Sequence, residues 1–167
     1  MKKILLFSAC VLLVFSACKK DSAKTATSTS ITATIGSSNL NFSTAAVAQV
    51  ISSNGIYAIQ IIGSNGTGSS AQGVSIDIQS DKPIVKGTYS VTDTSSFTDI
   101  TYVENPSVST PVSFSSSTIG TVTITSISST NVQGTFSGTL VSNQDNTTTQ
   151  TLSNGKFNVG VLTTKEQ

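Results

Sequence analysis

From residue 31 onward, apolar and polar positions alternate with a period of two. They do so in short runs separated by Gly, Asn, Ser, Asp and Pro, the pattern of half-buried strands. Ile31, Ala33 and Ile35 share one face, residues 36–39 turn, and Leu40 and Phe42 share the next face. Runs over 46–52 and 56–63 flank Asn54-Gly55. That dipeptide is a hairpin signal, because both residues tolerate the positive φ of a type I′ turn. Tyr57, Ile59 and Ile61 fall on one face, and Val74, Ile76 and Ile78 form another row with Ser75, Asp77 and Gln79 opposite.

Asp81-Lys82-Pro83 interrupts the pattern, which resumes over 87–92 with Tyr89 and Val91 and again over 97–104. A loop over 105–111 leads to a weaker run over 112–117, then to 120–126 with Val122 and Ile124 inward. Residues 132–142 carry Phe136, Leu140, Gly134 and Gly138 on one face, and 144–148 is a polar loop. The run over 149–162 aligns Phe157, Val159 and Val161, with Asn154-Gly155 as a turn or bulge. Helical apolar spacing nowhere persists beyond a turn, and no repeat of 20–50 residues is present. The expected fold is therefore all-β, an antiparallel sandwich of about 8–10 strands over 31–162 followed by a polar tail over 163–167. A small closed barrel of lipocalin or calycin type is the alternative. The core is Val and Ile with five phenylalanines, and the inward glycines Gly134 and Gly138 fit either close packing or a lined cavity.

The first thirty residues follow another rule. Met1-Lys2-Lys3 is a basic start, and the 14 residues from Ile4 to Ala17 are apolar or small. As a helix that run reaches about 21 Å, short of a bilayer core of about 30 Å, which reads as a cleaved secretory signal over 1–17. It ends in Phe15-Ser16-Ala17-Cys18, which resembles a bacterial lipobox. Phe15 stands where the stricter pattern has an aliphatic residue, and Phe7-Ser8-Ala9-Cys10 repeats the letters without an apolar run before it. The resemblance implies cleavage before Cys18 and lipidation of its thiol with acyl chains such as palmitate. Cys10 and Cys18 are the only cysteines, so the mature chain has no internal disulfide partner for Cys18. Several acyl chains on one residue anchor firmly, where a single chain holds only marginally. Residues 18–30 then form the lipidated cysteine and a flexible polar tether. Asp21-Ser22-Ala23 resembles a motif that bacteria of the Bacteroidota type O-glycosylate on Ser22; a chance tripeptide in a Ser-rich tether is the other reading.

Composition sharpens the picture mainly by what it lacks. Ser and Thr fill about a third of all positions, charged residues only 10%, and there is no His, Arg or Trp. Without the arginine fork or a lysine cluster beyond the signal, nucleic acid is excluded as an expected partner. Between Ile31 and Leu162 three lysines (Lys82, Lys86, Lys156) stand against six acids (Asp77, Asp81, Asp93, Asp99, Glu104, Asp145), so the domain is mildly acidic.

The segments Gly87-Thr88-Tyr89, the run from Gly120 to Thr125, the run from Asn131 to Gly138 and Asn154-Gly155-Lys156-Phe157-Asn158 occur in that order. With the lipobox they resemble a family of small all-β lipoproteins of the Bacteroidota type. The resemblance implies an address in the cell envelope, at the outer membrane on its periplasmic or its surface-exposed face. The shared motifs are structural punctuation and transfer no catalytic residue.

The chemistry expected is binding, not catalysis. A Ser or Cys nucleophile wants a His base, and Lys82, Lys86 and Lys156 sit in no Ser-Lys motif. Zinc would need His or Cys ligands. Asp93, Asp99 and Glu104 could pair as in a glycosidase, but solvated strand-end acids are the ordinary case. No run of acids resembles a calcium loop, so no cofactor or metal is expected. Among aromatic residues Tyr57 and Tyr89 fit inward rows, leaving Phe97 and Tyr102 as candidate ligand contacts. The expected function is a non-catalytic envelope module that binds a protein or a polysaccharide, while the lipid anchor engages the membrane. A barrel carrying an apolar ligand and a glycan-binding surface lipoprotein are the alternatives.

Overall fold

The computed structural model describes residues 29–105 and 111–162, apart from the side chains of residues 69 and 117. The signal, Cys18, Ser22, most of the tether, residues 106–110 of the loop and the polar tail lie outside the described residues. Among the described residues ten strands form: β1 (Ser30–Ile35), β2 (Ser38–Asn41), β3 (Val47–Ser53), β4 (Ile56–Asn65), β5 (Gln72–Ser80), β6 (Gly87–Ser90), β7 (Ser96–Glu104), β8 (Val112–Ile127), β9 (Asn131–Ser142) and β10 (Thr149–Leu162). The domain is all-β, as the alternation predicts.

All ten strands belong to one sheet, and its ladder closes on itself. The ring runs β3–β4–β5–β7–β8–β9–β10 and returns to β3. Every pairing in it is antiparallel except the closing one, where Gly160–Leu162 of β10 run parallel to Val47–Gln49 of β3. The fold thus has the closure of a barrel with the filled interior of a sandwich. The hairpin of β1 and β2 joins the ring through β1, which pairs with β10 over Leu152–Asn158, the stretch before β10 reaches β3.

Two long strands each serve two partners along one edge. β8 pairs with β7 through Val112–Ser115 and with β6 through Thr121–Ile124, while β9 covers its other edge. Bulges at Ser116/Ile119 and Ile124/Ser126 make this possible by bending the strand without ending it. The two separate runs expected over 112–117 and 120–126 are therefore one strand, because the Ser- and Thr-rich stretch between them bulges instead of turning. The Asn54-Gly55 turn forms as expected, with φ of 52° and 77°, and Ser53 pairs with Ile56 across it.

The inward rows meet in one core, from Ile31 and Phe42 through Ile59, Ile76, Ile100 and Val122 to Leu152 and Val159. Each large side chain removed from water contributes about 1.5–3 kcal/mol. Two aromatic groups organise it. Tyr102 stacks on Phe114 at 6.2 Å and meets the edge of Phe42 at 6.4 Å, while Phe136 and Phe157 lie 6.3 Å apart. Four of the five phenylalanines are buried; Phe97 is not.

The inward glycines serve close packing. Gly134 of β9 stands opposite Phe157 of β10, and Gly155 of β10 stands opposite Phe136 of β9. A Cβ on Gly134 would collide with the Phe157 ring and the Thr123 carbonyl, and one on Gly155 would meet the Phe136 ring 2.7 Å away. On Gly138 it would lie 2.7 Å from the Ile119 carbonyl oxygen. Each phenylalanine thus occupies the space its cross-strand glycine vacates.

Candidate functional site

One end of the barrel carries an open hollow of about 530 Å³. Three segments build it. The turn at Asn54-Gly55 brings Ile56 to its rim, the chain leaving β5 supplies Ser80, Asp81 and Lys82, and the turn before β7 supplies Asp93 to Ser96. Phe97, the second residue of β7, stands opposite Gln79 of β5, and both line the hollow. Phe97 is 61% exposed and Ile56 46%, so an apolar surface lies open at this end.

The turn is held by its own side chains. Asp93 accepts hydrogen bonds from the Ser95 backbone N–H at 2.9 Å and the Ser95 hydroxyl at 2.8 Å. A longer bond from the Ser96 hydroxyl reaches its other oxygen at 3.4 Å. These donors hold the Asp93 carboxyl below the usual carboxylate range. The Asp93 backbone N–H in turn donates to the Ser90 carbonyl at 3.0 Å. Asp93 is therefore a fixed carboxylate in the same hollow as an exposed aromatic ring, which Asp81 and Lys82 also line.

The two aromatic residues singled out in the sequence are not brought together. Phe97 faces out, whereas Tyr102 is 1% exposed and belongs to the core. They are five residues apart on one strand, and an odd separation places side chains on opposite faces. As a surface ligand contact Tyr102 is corrected to a core residue. Its hydroxyl accepts from Gln72 Nε2 at 2.7 Å and donates to Glu104 Oε1 at 3.2 Å. Burial pushes the phenol above its ordinary pKa, and the Glu104 charge adds to the effect. Gln72 is bound in turn to Asn65, so this network secures the region where β4, β5 and β7 meet. Tyr57 and Tyr89, expected inward, are both half-buried. The Tyr89 hydroxyl accepts from the Val85 N–H and donates to the Val85 carbonyl, each at 2.9 Å.

The acids considered together in the sequence also separate. Asp93 precedes β7 and Glu104 ends it, and eight strand steps between Ser96 and Glu104 span about 27 Å. Asp99 faces Asp77 of β5 instead. Among the described residues no three His, Cys, Asp or Glu side chains gather closely enough to hold a metal ion.

Sequence reasoning missed Ile56, Asp81 and Asp93 as neighbours of Phe97. Only the adjacency of β4, β5 and β7 assembles them, although the Asp-x-Ser spacing at Asp93 and Ser95 is itself a turn signal. Compared with known protein families, curated proteins and solved structures, the chain matches none of them.

Proposed function

We propose that this chain is a non-catalytic lipoprotein of the bacterial cell envelope, anchored at the outer membrane through Cys18. Its β domain binds an envelope protein or polysaccharide at the Phe97 hollow. The observation that carries the binding reading is Phe97 itself, an aromatic ring left 61% exposed beside a hollow when every other phenylalanine of the domain is buried. An aromatic side chain offers a large, stiff contact area, and such residues often anchor interfaces. Ile56 extends the apolar surface, while Asp81 and Asp93 offer acceptors at its rim. A sugar ring stacked on Phe97 with its hydroxyls on these carboxylates suits the same arrangement. The packed interior supports binding on the surface over carriage of an apolar ligand within the barrel.

The binding reading is tested by placing a photo-crosslinking residue at position 97 in whole cells, with position 41 on β2 as the comparison. A discrete adduct from position 97 alone supports the hollow as a binding site; equal yields from both positions overturn it. The anchor is tested separately. Cys18→Ala is expected to move the protein from the membrane to the soluble fraction, and retention in membranes would remove the lipid anchor from the proposal.

A further inference from the structure

The outer face of β8, β9 and β10 carries a second hollow, of about 230 Å³, that shares no lining residue with the first. Its walls are Thr121 and Thr123 of β8, Thr135 and Ser137 of β9, and Asn154 and Lys156 of β10. The bulge of β10 between Leu152 and Gly155 shapes it. Asn154 sits at a φ of 54°, and Gly155 brings the β10 backbone close to Phe136. Bulges commonly re-aim a side chain in this way beside functional sites.

The donor set has one sign. Four hydroxyls, a carboxamide and one ammonium line the hollow, and among the described residues no carboxylate does. The six acids of the β domain all lie elsewhere, on β5 and β7 and in the turns at Asp81, Asp93 and Asp145. In a domain with three lysines against six acids, this patch is locally positive. The volume is below the roughly 300–1,000 Å³ of sites for drug-sized ligands, so the hollow holds one ring-sized unit.

Around it the hydroxyl surface continues. Thr88, Thr123, Thr135, Lys156 and Thr32 stand directly opposite one another across β6, β8, β9, β10 and β1. The Thr88 and Thr123 hydroxyls are 3.1 Å apart. Four inter-strand steps make this row about 19 Å long, more than one sugar ring requires.

We propose that this face binds an acidic polysaccharide, with the carboxylate of one sugar unit on Lys156 Nζ and ring hydroxyls on Thr121, Thr123, Thr135 and Ser137. The lysine ammonium supplies a compact charge with three donors, and the hydroxyls both donate and accept, as a sugar requires. This site is distinct from the Phe97 hollow, and the two assignments fail independently.

The test titrates the full-length protein in detergent with polygalacturonate, its fully methyl-esterified form and dextran at low salt. Polygalacturonate alone is expected to bind. Lys156→Gln is expected to weaken that binding about tenfold or more, the scale of one charge-assisted hydrogen bond. Lys86→Gln, a lysine that lines neither hollow, is expected to leave it unchanged. Lys156 is exposed, and an unaltered melting temperature establishes that its variant is folded. Absence of polygalacturonate binding, indifference of that binding to Lys156→Gln, binding of a neutral polymer that Lys156→Gln weakens equally, or equally effective competition by inorganic phosphate would each overturn the proposal.

Discussion

Asp77 and Asp99 stand directly opposite each other on adjacent strands, two carboxylates in one cross-strand pair. Ser75 and Gln60 donate to Asp77 at 2.7 and 2.8 Å, and Thr101 and Ser116 donate to Asp99 at 2.9 and 3.1 Å. Like charges placed this way oppose the ladder that holds them. Burial pushes the Asp77 carboxyl above its ordinary 3.8, and the charge of Asp99 acts in the same direction.

A pH dependence follows from that shift. An acid whose pKa is raised by folding binds its proton more tightly in the folded state, so stability grows as pH falls through the raised value toward 3.8. Asp93 and Asp145 act oppositely: hydrogen bonds hold both below the ordinary range, and their contribution is lost below about 3.8. The melting temperature is therefore expected to rise from pH 7 into the mildly acidic range and then fall. Asp99→Asn should raise it slightly at pH 7 and lessen the rise only in part, because burial, the larger cause of the shift, remains. A melting temperature that only declines on acidification would refute this account.

The glycine–phenylalanine pairs make a second prediction. Gly134→Ala and Gly155→Ala each force a methyl group into a neighbouring strand, and overpacking of this kind costs about 1–3 kcal/mol or more. A Cβ on Gly87, in contrast, meets nothing within 4 Å. Urea titrations of the three variants are expected to place Gly87→Ala near the parent and both others well below it.

Thr98 is 4% exposed, and its hydroxyl has no hydrogen-bond partner among the described residues. A buried unsatisfied group of this type costs about 1–3 kcal/mol. Thr98→Val keeps the shape and removes the polar atom, so a gain of about 1 kcal/mol in unfolding free energy is expected. A loss would show that the hydroxyl is satisfied in solution.

Phe97 and Phe157 are the same residue type in opposite settings, at 61% and 3% exposure. Phe157→Ala should cost about 3–5 kcal/mol, whereas Phe97→Ala should leave stability almost unchanged. Equal losses from both would place Phe97 in the core.

The face of several strands was legible because alternation carries it directly: Ile31, Ala33 and Ile35 point inward, as do Val74, Ile76 and Ile78. The two Asn-Gly steps were legible as well, one as a hairpin turn and the other as the β10 bulge. Tyr102 could have been placed from its own strand, since Ile100 two residues earlier shares its face. The parallel pairing of β10 with β3 left no local trace, because Gly160–Leu162 and Val47–Gln49 meet only when the ring closes. The continuity of β8 was hidden for a related reason: a Ser- and Thr-rich bulge and a turn draw on the same residues.

β1 is bonded on both edges, to β2 along Thr32–Ile35 and to β10 from Ser30 to Ile35. Any tension on the residues before Ser30 therefore enters through a strand held from two sides, and extracting it means breaking both ladders. A pull along the strand loads many hydrogen bonds in shear together, whereas peeling a free edge breaks them one at a time. The point where the chain enters the domain is thus held by two ladders, and a pull from that end meets both at once.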